Sequence, residues 1–511
     1  MKNIASRGSG ADSVLSDPVI RRLAIVVILG SIMSLLDTTI VNVAIETLSR
    51  DFHSPLATIQ WVTTGYLLAL AIVIPLSGWL IERFGTKEMW MVSLALFTLG
   101  SVLCAAAWSS QSLIAFRVMQ GLGGGMIMPI GQTILARAAG PRRMGRIMSI
   151  IGIPTLVAPI LGPVIGGLIV DNLTWRWIFL VNVPIGVLAL VLSQRYLAYG
   201  ERQDAGRLDL RGALLLSPGL AILVYGLSEA GGGSGFGSTK VLFCLAAGAV
   251  LIGAFVIHAT RVDRPLLDMH LFRDRSFSMA NLTIFVFGGS LYAAMFLLPL
   301  YYQVVRGESA LTAGLLMAPQ GVGAMLTMPW GGRLTDRLGP RGVVPIGMAI
   351  FLLGTVGYTQ IGPDSGYTFL TLALFVRGLG MGWTMMPTMS AAYASLTRAL
   401  VPRATTTINI VMRVGGSFGT ALVAIVLQRQ IADRLPRSPA ILSSGASVGG
   451  QLPAPIASRL ADSFAYSFWV VVAVTAVGLV GSLLLPKGTP SLNEDPAGGD
   501  PSDDRLAVIG D

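Results

Sequence analysis

One acid stands in the middle of the first apolar run. Residues 31–48 read SIMSLLDTTIVNVAIETL, and Asp37 is the only charge between Leu23 and Ile45. In hydrocarbon a carboxylate at that depth costs about 2.5 kcal/mol or more, so such groups face a bundle interior or a water-filled cavity. The chemistry on offer is proton exchange. Low dielectric raises a carboxyl group's affinity for a proton, and a nearby cation lowers it. An acid whose surroundings change can therefore load a proton on one face of a membrane and release it on the other. The rival reading is a permanent salt bridge from Asp37 to an arginine, which would only fix helix packing.

The basic residues placed equally deep are Arg117, Arg377 and Arg413. In RVMQGLGGGMIMP, residues Arg117, Gln120, Gly121, Gly124 and Met128 share one helical face. A cation on that face would tune proton release, whereas the bland alternative is a snorkelling or carbonyl-bonded arginine. Arg377 precedes its glycine directly instead of by four and does not align with Arg117. Arg413 sits beside Asn409 and either lines a cavity or bonds a carbonyl.

A binding cavity needs faces and anchors. Trp61, Tyr66 and Tyr292 offer stacking and cation–π surfaces, and Met325 adapts to shape. Asn42, Gln120, Asn281, Gln303, Gln320, Asn409 and Arg413 supply polar contacts. Taken singly, each also fits an ordinary core or interfacial residue. Tyr301 and Tyr302 read as an interfacial belt, and Trp175, Arg176 and Trp177 as an anchor at a membrane boundary.

The elements that carry these residues are membrane helices. The chain has 511 residues, 53% hydrophobic and 12% charged. Apolar runs of about 20 residues recur along it, the pattern of an all-α polytopic membrane protein. The runs fall at 23–45, 59–80, 89–108, 112–136, 147–170, 175–195, 211–229, 240–260, 277–304, 310–333, 343–362, 367–390, 404–428 and 464–486. They predict fourteen transmembrane helices. Cationic loops such as RRMGR (142–146) and RVDRPLLDMHLFRDR (261–275) alternate with short loops poor in cations, such as DNLT (171–174). That bias predicts cytoplasmic N- and C-termini and explains the net charge of +10 without nucleic acid. The first residues lack the apolar core of a signal peptide, so the first span must direct insertion. Arginine outnumbers lysine, in line with a GC-rich bacterial genome. Cys104 and Cys244 lie in apolar runs and read as small core residues. Three histidines have no metal-like spacing, and no G-x-x-x-x-G-K-[ST] loop cradles a nucleotide.

The halves repeat. GWLIERFGTK contains Gly78, Glu82, Arg83 and Gly85; GRLTDRLGPR contains Gly332, Asp336, Arg337 and Gly339, about 254 residues later. GLGGGMIMP (121–129) and GLGMGWTMMP (378–387) recur at a similar offset. Spans one to six and nine to fourteen are then copies, and spans seven and eight an insertion. In the loops Gly78 and Gly332 let a helix pass a neighbour closely, and Gly85 and Gly339 permit a tight turn. Glu82 and Asp336 end helices, where the dipole disfavours an anion. A helix N-terminus or an arginine must compensate them, which makes the loops a latch between the halves. A charged hairpin that merely sets topology is the plainer reading.

These residues resemble the major facilitator superfamily over nearly the whole chain. IGIPTLVAPILGPVIGG (151–167) resembles the motif of its exporters. LLDTTIVNVA (35–44), QWVTTGYLL (60–68), WRWIFLVNVPIG (175–186) and RVGGSFGTAL (413–422) together resemble the fourteen-span drug:proton antiporters of the EmrB/QacA type. Glu82 stands where the family's loop has aspartate, and Thr86 where it has a base. The resemblance implies two six-helix bundles plus two central inserted helices, alternating access around a central cavity, and a cavity-facing role for Arg117 near the proton site. It implies a bendable, leak-tight seam between the halves from Pro159, Gly162, Pro163, Gly166 and Gly167. It also implies export of amphipathic, often cationic, toxic compounds in exchange for protons, with no ATP and no cofactor. The domains expected are 1–22 N-terminal segment, 23–197 first bundle, 198–275 linker with two extra spans, 276–486 second bundle and 487–511 disordered tail. The expected location is the bacterial cytoplasmic (inner) membrane. The partners implied are a small amphipathic substrate, protons and the lipid bilayer, with no nucleic acid; no motif addresses a periplasmic adaptor. An exporter of an endogenous lipid or glycolipid would use the same fold. A membrane enzyme lacks its catalytic constellation here, and a channel would favour identical subunits over an internal duplication.

Overall fold

The structure, a computed structural model, describes residues 18–139, 158, 161–162, 164–170, 172–198, 205–231, 235–394, 396–435 and 453–485. Thirteen of the described helices are long and apolar enough to cross a membrane. Helices dominate because hydrocarbon offers no partner to backbone N–H and C=O groups, which must bond within their own segment.

The first group begins with α1 (Pro18–Val43) and α2 (Leu56–Val73), which continues through a tight turn at Ile74–Leu76 into Ser77–Phe84. Pro75 lies in that turn, where its missing N–H breaks the regular ladder. Next come α3 (Thr86–Ala105), α4 (Ser110–Ala139), α5, described as helical at 164–170, and α6 (Trp177–Leu180 and Asn182–Tyr196). The rest of the fifth apolar run, with Pro159 and Pro163, lies outside the described residues. The inserted pair is α7 (Leu210–Glu229) and α8 (Thr239–Ala259). The second group is α9 (Arg275–Leu300, extended by a wider turn at Tyr301–Val305), α10 (Ala310–Leu338), α11 (Pro340–Val356), α12 (Tyr367–Tyr393), α13 (Val401–Arg434) and α14 (Ala454–Ser482).

Within the first group α4 packs on α1, α2 and α3, while α6 packs on α1 and α3. In the second, α12 packs on α9, α10 and α11, while α14 packs on α9, α11 and α13. The groups meet through α13, which packs on α4 and on the lower part of α2. The insertion is not a peripheral pair: α7 touches both α2 and α13, and α8 leans on α7.

Local chemistry sets the helix ends. Asp209, Asp274 and Ser309 each accept a bond from a backbone N–H three residues on, at the starts of α7, α9 and α10. Gly85 and Gly339 close the first and second loop copies with φ of 99° and 75°, backbone that favours glycine in both.

Two aromatic readings are corrected. Tyr301 and Tyr302 are buried in the second group's core, with the Tyr301 hydroxyl donating to the Gly362 carbonyl at 2.7 Å, so they are not a belt. Trp175 is also buried and its indole donates to Asp51 at 2.8 Å, while Arg176 and Trp177 of that cluster are exposed. Apolar runs mark depth in a membrane but cannot say which face meets protein.

Candidate functional site

Asp37 and Arg117 are each 0% exposed. Arg117 Nη1 lies 2.5 Å from Asp37 Oδ2. The other carboxylate oxygen accepts from Gln120 Nε2 at 3.0 Å and from Asn182 Nδ2 at 3.1 Å. Arg117 also donates to the Val62 carbonyl at 3.1 Å and to Gln120 Oε1 at 2.7 Å, and its guanidinium lies 4.0 Å from the Tyr66 ring centre. Gln120 reaches Ser101 Oγ at 2.7 Å. Helices α1, α2, α3, α4 and α6 thus converge on one carboxylate. Polar atoms of this cluster that are buried without a hydrogen-bond partner include Arg117 Nη2 and Asn182 Oδ1.

In this conformation the acid is paired with a cation and closed off from solvent. The sequence reading had it reached from a cavity; the structure instead places it in the geometry of the rival salt bridge. Helical spacing had put Arg117 and Gln120 on a shared face. It could not say that the face would close on Asp37.

The second half repeats the arrangement without the acid. Gly100 packs against Gln120, and Gly354 packs against Arg377, at the repeat spacing. Gln120 bonds Ser101 of α3; Arg377 bonds Thr355 Oγ1 of α11 at 3.2 Å. Gln120 bonds Asp37 of α1; Arg377 bonds the Ser290 carbonyl of α9 at 3.1 Å. Arg377 is therefore the counterpart of Gln120, not of Arg117, as the motif offset indicated. Its remaining contacts are Gln320 Oε1 at 2.7 Å and the face of Phe351 at 4.3 Å.

The loop copies differ in what is described. Glu82 accepts from Arg403 Nε and Nη2, both at 2.8 Å, across the two halves. Arg403 lies in the first turn of α13, so a helix N-terminus and an arginine together compensate the anion. Ser77 and Thr406 hydroxyls meet 3.0 Å apart beside them, and Gly78 packs on Thr406 and on the Arg403 backbone. Asn409 Nδ2 donates to Gln132 Oε1 at 2.6 Å, a further bond between the halves. Arg83 and Arg337 are exposed, Gly332 is buried, and the Asp336 side chain lies outside the described residues.

The expected lining residues scatter. Tyr292 and Arg413 do line a cavity of about 390 Å³ between α2, α7, α9 and α13. Tyr66 and Gln120 belong to the acid cluster. Asn409 lines a small void of about 20 Å³. Asn42 is exposed and accepts from Thr63, and Trp61 stacks on Tyr225 of α7 at 5.9 Å. The remaining four expected residues lie elsewhere as well. Asn281 is buried and bonded to the Phe277 carbonyl, Gln320 holds Arg377, and Gln303 and Met325 are exposed.

The small-residue stripe of α5 is also corrected. A Cβ on Gly162 would strike the Thr39 side chain, and one on Gly166 would lie 3.1 Å from Ile40 and Val43. Both glycines thus face α1 of their own half, and Gly167 faces open space. The described part of the stripe joins helices within the first bundle, not the two bundles.

Residues 27–420 match the Major Facilitator Superfamily. The chain belongs to that superfamily. It is a multi-pass membrane transporter and not an enzyme. A multidrug resistance protein B homolog from Mycobacterium tuberculosis is 40% identical over 91% of this chain and 89% of its own length. The multidrug export protein EmrB of Haemophilus influenzae is 32% identical over 79% and 80%. Among solved structures, the proton:xylose symporter XylE aligns with a TM-score of 0.61 at 13% identity, covering 92% of this chain and 96% of that one, which speaks to fold alone.

Within this superfamily member, sequence reasoning missed three residues that make these contacts. Asn182 was the one amide in the WRWIFLVNVPIG run and could have been flagged as a buried donor. Ser101 stands 254 residues before Thr355, a signal available from the repeat. Arg403 carried none, because a base at the start of a span reads as a topology signal.

Proposed function

We propose that this protein is a proton-coupled antiporter that exports amphipathic small molecules by alternating access, driven by the proton gradient and using no cofactor. Export of toxic compounds is supported by the relatives named for multidrug resistance and export. The positive-inside bias supports a bacterial inner-membrane orientation with both termini, and the Glu82–Arg403 latch, on the cytoplasmic side.

One observation carries the proton site. The second half builds its equivalent station from Arg377, Thr355 and the Ser290 carbonyl, with no acid among the described residues there. The corresponding place in the second bundle thus forms around an arginine without a carboxylate. A buried ion pair is in any case weak evidence for stability, and intramembrane acids are kept for function by default. The unpaired Arg117 Nη2 and Asn182 Oδ1 leave the cluster partners to spare when water enters.

The closed pair is then one end of the cycle. With the latch shut, Arg117 pairs with Asp37 and both are out of solvent. When the bundles rock, Arg117 withdraws, water reaches the carboxylate, and a proton takes the cation's place. Substrate occupies the cavity beside α7 and α13, two turns of helix from the latch. Proteoliposomes carrying an imposed pH gradient test this with a panel of amphipathic compounds. Substrate-dependent proton flux is expected, and transport indifferent to the gradient would refute it.

A further inference from the structure

Among the described residues, the lining of the cavity of about 390 Å³ includes one basic side chain, Arg413, and no acid. Its remaining walls are largely apolar: Leu67 and Ala71 of α2, Leu220 and Val224 of α7, and Phe296 of α9. No hydrogen bond or ion pair within the described residues engages the Arg413 guanidinium. The inserted helix α7 supplies a whole wall, so the insertion shapes this space.

We infer that this cavity selects amphiphiles with a single apolar body and an anionic head, the head pairing with Arg413. This deepens the transport reading above and rests on it. The argument is one of charge and size. A guanidinium in an apolar pocket without a partner is poorly solvated, and a carboxylate meets it with two parallel charge-assisted bonds. A cationic head would be repelled by the same group. A volume near the low end of drug-sized pockets, about 300 Å³ upward, admits one such body and excludes a two-chain lipid. The binding preference is thus opposite in sign to the cationic cargo implied by family resemblance. Ser417 and Thr420 border the same space and supply hydroxyls to the head.

The test uses the full chain in phosphatidylcholine nanodiscs, with radiolabelled laurate as probe. Dodecyltrimethylammonium and dodecanol serve as competitors of equal chain length. Laurate should bind about tenfold or more tighter than the ammonium compound, the least that one charge-assisted bond contributes. Arg413→Gln should lose that margin while dodecanol binding is unchanged, which also shows the variant folded; Arg413→Lys should keep most of it. Equal or tighter binding of the ammonium compound, or laurate affinity unchanged in Arg413→Gln, would overturn the proposal. Replacing the nanodisc lipid with phosphatidylglycerol should not displace laurate; displacement would overturn the single-body assignment. Ser417→Trp fills the cavity and should abolish both laurate binding and drug transport. Retained laurate binding would overturn the anion site. Lost laurate binding with drug transport intact would instead overturn the transport-cavity reading.

Discussion

Glu82 and Arg403 close one end of the molecule: two bonds of 2.8 Å run between them, from the first bundle to the second. The pair is nearly buried, and its neighbours Ser77 and Thr406 touch across the same gap. Removing one partner of such a pair leaves the other charged and dry, at about 3–5 kcal/mol. Glu82→Gln should therefore open this end. A disulfide between Ser77→Cys and Thr406→Cys should form several-fold more slowly in that background. Reversing both charges, Glu82→Arg with Arg403→Glu, should recover much of the closing rate.

Arg377 makes a contrasting case. It holds Gln320, Thr355 and the Ser290 carbonyl together inside the second bundle. Arg377→Gln restores the residue type used in the first half but is too short for all three partners. It should lower stability by about 1–3 kcal/mol per buried group left unpaired. Thermal unfolding in detergent reads this loss, and the number of protons moved per substrate should not change.

The stripe on α5 predicts a local rule. Gly162→Ala should lower both the unfolding temperature and transport, because the added methyl meets Thr39 two residues from Asp37. Gly167→Ala faces open space and should behave as the parent chain. Parallel melting curves and uptake rates distinguish the two.

Asp209 gives the pH dependence. Burial pushes its carboxyl up. Bonds from the Gly212 N–H, the His258 ring and the Leu266 N–H outweigh this and hold it below the ordinary value of 3.8. A carboxylate lowered in the folded state stabilises above its unfolded value and loses that contribution as pH falls through the folded one. The stability advantage of the parent over Asp209→Asn should shrink as pH falls below about 4. Melting curves across that range measure it.

The legible part of this protein was its periodic part. Apolar runs marked the spans, and the Gly78–Gly85 and Gly332–Gly339 loops marked the duplication. Helical spacing placed Arg117 with Gln120. What stayed hidden were meetings between distant segments. Nothing local says that Arg403 will reach Glu82, or that Asn182 will reach Asp37. Facing was hidden too. Tyr301 and Met325 are both apolar-run residues, yet one is core and the other exposed, because a membrane makes every face of a helix apolar.

The central claim is that Asp37 exchanges protons when Arg117 leaves it. The direct measurement is substrate-driven proton movement in proteoliposomes of Asp37→Asn, with folding checked by retained substrate binding. The account predicts that binding survives and proton movement disappears. Undiminished proton movement in that variant would contradict it and leave Asp37 and Arg117 as a packing pair.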